Sequence, residues 1–210
     1  MKEKLFLPIV VDIETSGVDK FRCGVWQIGA YDLSTGEEFL QEARIDNEDE
    51  IINEPGSKKL VLEAIGKTEE ELRDKNKQSQ KHLIKKFFDW VEKRRLKNFL
   101  CQNPQFDVAF LEIKAKKYGI KKVFHYRSFD LHSIVQLKYM QLNGKFLIEE
   151  DHSGMGLTNI LIFCGMKDER KAHNALEDAK LTAECFYRLM IGKNLFSEYS
   201  KFPVPRELLK

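Results

Sequence analysis

The first 45 residues of the chain contain three runs of strand-forming residues, and this opening limits the available folds more than any other feature. The runs cover residues 7–13, 25–33 and 38–45 and are rich in apolar side chains. Residues 34–36, Ser-Thr-Gly, lie between the second and third runs and predict a turn. We therefore expect the fold to begin with an antiparallel meander.

After this meander the apolar pattern alternates between helical and strand periods. Thr68 and Glu71 predict a capping box, and residues 79–95 place a run of apolar side chains on one helix face. Further strands are predicted at residues 99–102 and 123–129, and further helices at residues 106–118, 131–142, 157–163 and 175–190. Three strands followed by such an alternation predict an α/β fold, with a mixed central sheet of antiparallel meander plus parallel strands, flanked by helices.

Length and composition set wider limits. A chain of 210 residues is within the range of a single domain, which we expect at residues 1–190, followed by a loosely packed C-terminal tail at residues 191–210. The first apolar run stops at Asp12 with no cleavage pattern of small residues after it, so we interpret it as a strand and not as a signal peptide. No run reaches the ~20 apolar residues of a membrane span.

Charge and cysteine usage identify no partner by themselves. The 35 Lys and Arg residues against 33 Asp and Glu give a net charge of +2, so binding of a polyanion has to rest on local clusters. The four cysteines show no Cys-x-x-Cys spacing. This is typical of reduced core thiols in an intracellular protein, and we expect a cytoplasmic location without a zinc site.

The first segment that could carry chemistry contains two carboxylates at the end of an apolar strand. Strand side chains alternate between faces, so Asp12 and Glu14 point the same way while Ile13 turns to the opposite face. Two carboxylates held close together repel unless a proton or a cation lies between them, and Mg²⁺ or Mn²⁺ would be a natural occupant. Alternatively, the pattern simply marks a strand that ends in a solvated turn.

The second segment follows the strand predicted at residues 99–102. Pro104 is well placed to open a helix, with Asn103 near its N-cap and Asp107 in its first turns. Phe106 belongs to an apolar stripe at helical spacing, which Asp107 interrupts. Asp107 is therefore either a third functional carboxylate or an acid favoured by the helix dipole.

The third segment is the start of the helix predicted at residues 175–190. Asn174 and Glu177 resemble a capping arrangement, which leaves His173 on the preceding loop and Asp178 in the first turn. From a loop, His173 can reach over Asp178, and a histidine suits proton transfer from water near neutral pH. The alternative is a surface histidine beside an ordinary helix.

Taken together and in this order, the segments resemble the three exonuclease motifs of the DEDDh (DnaQ-like) 3′–5′ exonuclease family, which includes polymerase proofreading subunits, ribonuclease T and oligoribonuclease. The matching residues are Asp12-x-Glu14, Asn103-x-x-Phe106-Asp107-x-x-Phe110-Leu111 and His173-x-Ala175-x-x-Asp178. The resemblance extends from about residue 7 to residue 189 and includes residues 27–30, Gln-Ile-Gly-Ala.

The resemblance implies a ribonuclease-H-like fold and a metal-dependent 3′–5′ exonuclease that hydrolyses DNA or RNA to nucleoside 5′-monophosphates. It assigns Asp12, Glu14, Asp107 and Asp178 as ligands of two divalent ions, Mg²⁺ or Mn²⁺, and His173 as the general base. The chemistry agrees with these roles, because attack on an anionic phosphodiester needs charge neutralisation, which two ions about 4 Å apart can supply.

The resemblance also implies a set of substrate-binding residues. Thr15 and Ser16, directly after the first motif, are expected to contact the terminal nucleotide, and Asn103 and Phe106 to line the same site. Many relatives carry a polar His or Asn before a glycine of the next segment, where this chain has Ile65, and the substrate contact at this position therefore differs.

Two further features allow two interpretations each. Phe21 and Trp26 could stack on bases, but aromatic side chains beside a strand are more often core residues. A basic cluster after the second motif could follow a phosphate backbone or form a solvated helix face. This cluster contains Lys114, Lys116, Lys117, Lys121 and Lys122.

Several hypotheses remain open at the level of sequence. The expected partner is nucleic acid, as single-stranded 3′ ends, with no membrane association. The main alternative is a catalytically idle nucleic-acid-binding or polymerase-associated module of the same fold. The short stretch after residue 190 favours a free-standing enzyme over a proofreading subunit, while a homodimer and the choice between DNA and RNA are undecided.

Overall fold

The computed structural model describes residues 7–53, 58–171 and 173–209. Its centre is a five-stranded mixed sheet with the strand order β3-β2-β1-β4-β5. The strands are β1 (Ile9–Thr15), β2 (Val25–Asp32), β3 (Glu38–Glu42), β4 (Phe99–Cys101) and β5 (Phe129–Asp130). β1 pairs antiparallel with β2 and parallel with β4, and β2 pairs antiparallel with β3, so the meander and the mixed α/β sheet are confirmed.

The helices flank this sheet, and a small hairpin lies apart from it. They are α1 (Lys58–Ile65), α2 (Glu69–Leu72), α3 (Gln80–Glu92), α4 (Pro104–Lys117), α5 (Leu131–Asn143), α6 (Leu157–Phe163) and α7 (Ala175–Ile191). β6 (Ile148–Glu149) and β7 (His152–Ser153) form the hairpin, which the sequence did not predict, and two 3₁₀ turns follow α7 at Ser197–Tyr199 and Arg206–Leu209.

The alternation of side chains along β1 divides the core into two layers. Val11 and Ile13 face α3 and α4, in a cluster that contains Phe87 and Phe110. Val10 faces the opposite side, where α5, α6 and α7 pack. Because strand side chains repeat every second residue, the side chains of residues 12 and 14 lie on the α7 side of the sheet.

Local signals in the sequence predicted several helix starts correctly. The side chain of Thr68 accepts a hydrogen bond from the Glu71 amide, and the Glu71 carboxylate accepts one from the Thr68 amide, so the predicted capping box is present. Ser79 caps α3 by accepting from the amide of His82. Both interactions satisfy amides that the first helical turn leaves unpaired.

The strand predicted at residues 123–129 is wrong over most of its length. Only Phe129 pairs in the sheet, as the first residue of β5, while residues 121–128 are irregular. The apolar side chains of this segment serve the core instead, since the ring of Phe124 stacks on Phe99 at 4.5 Å. An apolar run of this length indicates burial but does not specify strand pairing.

The segment after α7 is not loosely packed, which corrects the expectation from its prolines. Arg188 of α7 donates hydrogen bonds to the carbonyl oxygens of Tyr199 and Phe202, each at 3.1 Å. Glu184 accepts from the amides of Leu195 and Phe196, each at 2.9 Å. A buried ion pair on α7 therefore holds this segment, and the division into a domain at residues 1–190 and a tail at 191–210 remains a prediction.

The cysteines and the character of the helices complete the description of the fold. The four cysteines are free and buried, as expected for core thiols. Among residues 7–53, 58–171 and 173–209, no helix has the length and apolar character needed to span a bilayer.

Candidate active site

The first two acidic residues come from the C-terminal end of β1. Asp12 lies opposite Gly29 of β2, and Glu14 lies opposite Gln27. The pairing shifts register after Glu14, so the strand ends its regular ladder where the carboxylates emerge. Both side chains line a cavity of about 250 Å³ at this end of the sheet.

Asp107 reaches the same cavity from the first turn of α4. Pro104 occupies the start of the helix and Asn103 the N-cap, as predicted. The Asp107 Oδ1 accepts a hydrogen bond of 3.1 Å from the backbone amide of Ile13. This bond joins α4 to β1 and fixes the third carboxylate beside the first two.

Asp178 reaches the cavity from the first turn of α7, whose start is held by two side chains. Asn174 accepts hydrogen bonds from the amides of Leu176 and Glu177, as a predicted N-cap. Gln27 of β2 accepts from the amide of Ala175 at 2.7 Å. Capping by Gln27 was not predicted, since the contact joins residues 148 positions apart.

His173 lies on the loop before α7, where the sequence placed it. Its Nδ1 is 3.4 Å from the Oδ2 of Asp178, and its side chain is 56% exposed while that of Asp178 is 6% exposed. Glu14, His173 and Asp178 offer ligand atoms that lie within 4.8 Å of one another. The structure thus brings all five predicted catalytic residues to one cavity.

Arg170 is a further member of the site that the sequence reasoning missed. Its Nη1 donates to Asp178 Oδ1 at 3.0 Å. The other edge of the guanidinium binds Asp168 through Nε at 2.9 Å and Nη2 at 2.6 Å, and Nη2 also contacts the Thr158 hydroxyl at 3.2 Å. The one signal available was its position three residues before His173, which does not specify a role.

The crowding of carboxylates changes their proton affinities. Burial, reinforced by Asp107, Asp178 and Glu14, raises the pKa of Asp12 well above its usual range. Burial also raises the pKa of Glu14 from 4.5 to about 7 and that of Asp107 from 3.8 to about 7. Without a compensating cation the cluster therefore retains protons near neutral pH.

The donor set fits divalent metal ions. Four carboxylates that repel one another in a partly buried cavity are stabilised by cations, and oxygen ligands suit hard ions such as Mg²⁺ and Mn²⁺. The raised pKa values of Asp12, Glu14 and Asp107 are consistent with a site arranged to hold positive charge.

The predicted substrate-binding residues fall into two groups. Thr15, Ile65 and Phe106 line a cavity of about 330 Å³ that adjoins the carboxylates, and Asn103 is exposed at the rim of the carboxylate cavity. Ser16 is 0% exposed, and its hydroxyl donates to the Glu50 carbonyl at 2.6 Å and accepts from the Gly24 amide at 2.8 Å. The structure thus gives Ser16 a structural role in place of the predicted contact with the nucleotide.

The structure also decides part of the two questions that the sequence left open, on the aromatic residues Phe21 and Trp26 and on the basic cluster after the second motif. Trp26 is 1% exposed, and its indole donates to the Thr15 carbonyl at 3.2 Å, so it is a core residue, while Phe21 is exposed. In the basic cluster Lys114 is 1% exposed and pairs with Asp49 at 2.9 Å. Lys117 pairs with Asp46, Glu48 and Asp49, and Lys122 pairs with Glu112. These ion pairs argue against a phosphate-binding surface at these three lysines.

Comparison with known proteins agrees with this geometry. The family model of the 3′-5′ exoribonuclease Rv2179c-like domain matches residues 8–190. Ribonuclease T of Wigglesworthia glossinidia brevipalpis is 28% identical over 214 residues, which cover 96% of this chain and 91% of that protein.

Similar folds occur among solved structures. The nuclease domain of 3′hExo, a DEDDh family member solved with bound rAMP, has a TM-score of 0.62 at 16% identity, with 94% of each chain covered. E. coli Exonuclease I in complex with a dT13 oligonucleotide has a TM-score of 0.65 at 17% identity, covering 86% of this chain and 40% of that chain. With its four acidic motif residues and His173 in one cavity, the chain belongs to the 3′-5′ exoribonuclease Rv2179c-like domain family, in agreement with the resemblance of its motifs to those of DEDDh exonucleases.

Proposed function

We propose that this protein is a metal-dependent exonuclease that shortens single-stranded RNA from its 3′ end and releases nucleoside 5′-monophosphates. The observation that carries the proposal is the convergence of four carboxylates and a histidine on one cavity. The preference for RNA rests on the family description and on the similarity to ribonuclease T. DNA is the alternative substrate, since the similar Exonuclease I was solved with a DNA oligonucleotide.

The four carboxylates would hold two divalent ions, Mg²⁺ or Mn²⁺. Such a pair of ions neutralises the anionic phosphodiester, activates water and stabilises the leaving 3′-oxygen when bound. The protein contributes the rigid placement of its ligands. The Ile13 amide fixes Asp107, and the capped start of α7 fixes Asp178.

His173 would accept the proton of the attacking water. Its hydrogen bond to Asp178 orients the imidazole and raises its pKa above 6.5. The exposed position of His173 on a loop allows the proton to pass on to solvent. General bases of this kind typically contribute ~10²- to 10⁴-fold to the rate.

The 3′-terminal nucleoside would occupy the cavity beside the carboxylates. Its wall combines the apolar side chains of Val18, Ile65 and Phe106 with Thr15, so the base packs against carbon atoms. At Ile65, where many relatives have a polar residue, this chain would hold the nucleoside by packing and not by a hydrogen bond. Asn103, which is exposed at the rim of the carboxylate cavity, would contact the sugar or the next phosphate.

The test is digestion of 5′-labelled single-stranded RNA and DNA of equal length and sequence, in Mg²⁺ and in excess EDTA. We expect stepwise shortening of the RNA, faster than that of the DNA, and 5′-monophosphate products. Asp12→Asn and Asp178→Asn should remove activity, while Glu92→Gln, an exposed control on α3, should not. Activity in EDTA, or in either aspartate variant, would refute the metal-dependent mechanism.

The ends of the substrate provide a second test. A strand with a 3′-phosphate and a circular single strand should resist digestion, because the reaction requires a free 3′-hydroxyl end. Rapid cutting of the circle would show an endonuclease and overturn the assignment.

A catalytically idle binding module of the same fold is the second candidate. The observation in its favour is that the guanidinium of Arg170 already occupies one oxygen of Asp178. Calorimetric titration with Mn²⁺ and digestion of RNA together separate the candidates. An enzyme should bind the ion and hydrolyse RNA, whereas an idle module would bind RNA without shortening it. A cytoplasmic location, a homodimer and a polymerase partner stay hypotheses.

A further inference from the structure

Arg170 presents two edges to different partners. The edge formed by Nε and Nη2 is bound by the carboxylate of Asp168, whose pKa is held well below its usual range by this contact. The remaining nitrogen, Nη1, points into the cavity and contacts Asp178. Asp168 and Thr158 thus fix the orientation of the guanidinium, and Nη1 is the donor directed at the reaction site.

Arg170 lies between two neighbouring cavities and lines both of them. It lines the cavity of about 250 Å³ that contains the four carboxylates. It also lines an adjoining cavity of about 370 Å³, together with Thr158, Lys171 and His173. The guanidinium therefore lies in the wall between the carboxylates and a region with basic side chains.

The net charge of the metal-loaded site shows why a hydrogen-bond donor is needed beside it. Four carboxylates and two divalent ions sum to zero, so the phosphodiester of the substrate adds a negative charge that the metal site does not balance. In the transition state this charge increases on the non-bridging oxygens, where a fixed hydrogen-bond donor is most effective. Because Asp168 neutralises Arg170, the guanidinium can remain beside two divalent ions while Nη1 donates a hydrogen bond.

We propose that Arg170 binds a non-bridging oxygen of the scissile phosphate, and that Asp168 and Thr158 are the residues that position it. In the metal-free protein Nη1 donates to Asp178, and in the loaded enzyme it donates to the phosphate while Asp178 binds metal. This inference rests on the proposed function and adds a residue to its mechanism. An arginine suits the role because its planar group binds Asp168 with one edge and leaves a donor on the other.

The experiment compares the wild type with Arg170→Gln and Arg170→Lys, using Lys167→Gln as the control. Lys167 is exposed on the same loop, so the control removes one positive charge without entering the site. Isothermal titration measures the binding of Mn²⁺ alone and then of adenosine 5′-monophosphate and of adenosine to the Mn²⁺-loaded protein. Single-turnover digestion of RNA gives the rate of hydrolysis.

We expect Arg170→Gln to bind Mn²⁺ at least as tightly as the wild type, because Asp178 is released from its ion pair. Its affinity for adenosine 5′-monophosphate should fall ~10-fold or more, its affinity for adenosine less than twofold, and its hydrolytic rate by ~10²- to 10³-fold, as for a lost transition-state donor. The affinity for adenosine 5′-monophosphate and the hydrolytic rate of Arg170→Lys should lie between those of the wild type and Arg170→Gln. An ammonium keeps the positive charge but cannot bind Asp168 and the phosphate at the same time with the geometry of a guanidinium. The control should remain within twofold of the wild type in each measurement.

The results that would overturn this inference differ from those that would refute the proposed function. Equal affinity of the wild type and Arg170→Gln for the monophosphate would overturn the inference while leaving the proposed function intact. Loss of Mn²⁺ binding in Arg170→Gln, or an equal weakening of adenosine, would also overturn it, because Arg170 would then shape the metal site or the nucleoside cavity. A wild type that neither binds Mn²⁺ nor hydrolyses RNA would refute the proposed function itself, and this inference with it.

Discussion

Replacing Glu14 by glutamine should stabilise the metal-free protein while it damages the enzyme. Burial raises the pKa of Glu14 from 4.5 to about 7, so the folded state binds this proton more tightly than the unfolded state does. The stability that this group contributes is fully present below about pH 4.5 and is lost as the pH rises through about 7. Glutamine does not titrate, so the variant escapes this loss.

The size of the effect follows from the rise in pKa. At about 1.4 kcal/mol per pKa unit, the change from 4.5 to about 7 corresponds to about 3 kcal/mol at pH 8. For a chain of this length that is a rise of roughly 6–12 °C in Tm. Burial raises the pKa of Asp107 as well, and the charge of Glu14 contributes to that rise. The double variant Glu14→Gln with Asp107→Asn should therefore gain less stability than the sum of the two single gains.

Thermal unfolding in EDTA at pH 5 and pH 8 measures the effect. Glu14→Gln should unfold at a higher temperature than the wild type at pH 8 and close to it at pH 5, whereas the exposed control Glu92→Gln should follow the wild type at both. With saturating Mg²⁺ the order at pH 8 should reverse, because the wild type gains binding free energy that the variant lacks. An unchanged Tm for Glu14→Gln in EDTA at pH 8 would refute the argument that repulsion and burial strain this cluster.

Three further predictions address the base, the packing and the C-terminal segment. His173→Ala should lower kcat by ~10²- to 10⁴-fold with Mn²⁺ binding retained. The wild-type rate should rise with pH as His173 loses its proton, because only the neutral imidazole accepts one, and pH–rate profiles of the two proteins would show this rise lost in the variant. Gly29→Ala should destabilise the fold by about 3 kcal/mol or more in urea denaturation, since its new Cβ would lie 2.1 Å from the backbone of Ala175. Arg188→Met should cost about 3–5 kcal/mol and expose the segment around Tyr199 to limited proteolysis, because it leaves the buried carboxylate of Glu184 unpaired.

Local chemistry in the sequence was sufficient to predict much of the fold and the core of the site. The alternation along β1 predicts that Asp12 and Glu14 share a face, and Pro104 and Asn174 predict the starts of the two helices that carry the other acids. Each of these inferences depends on contacts within a few residues along the chain. The site therefore appears where three locally specified termini meet.

Contacts distant in sequence are what the pattern could not predict. Ser16 follows the first motif directly, but its hydroxyl bonds to residues 8 and 34 positions away and so faces inward. The sequence groups Lys114 with the lysines of a basic surface cluster, yet Lys114 is buried against Asp49, 65 positions earlier. Arg170 has no spacing relation to the acids that would indicate its contact with Asp178. In each case the side chain is polar and its partner is set by the tertiary fold.

The face of β2 that meets α7 gives a structural reason for the resemblance at residues 27–30. Gly29 and Gln27 lie opposite Asp12 and Glu14, so both pairs share one side of the sheet. The glycine allows the backbone of α7 to approach, and the glutamine binds the amide of Ala175 at the start of that helix. Asp12 and Glu14 of β1 supply two of the four carboxylates of the site. Their neighbours on β2 determine where Asp178 of α7 lies. A change at Gln27 or Gly29 would therefore reach the chemistry through the position of α7, although neither side chain lines the carboxylate cavity.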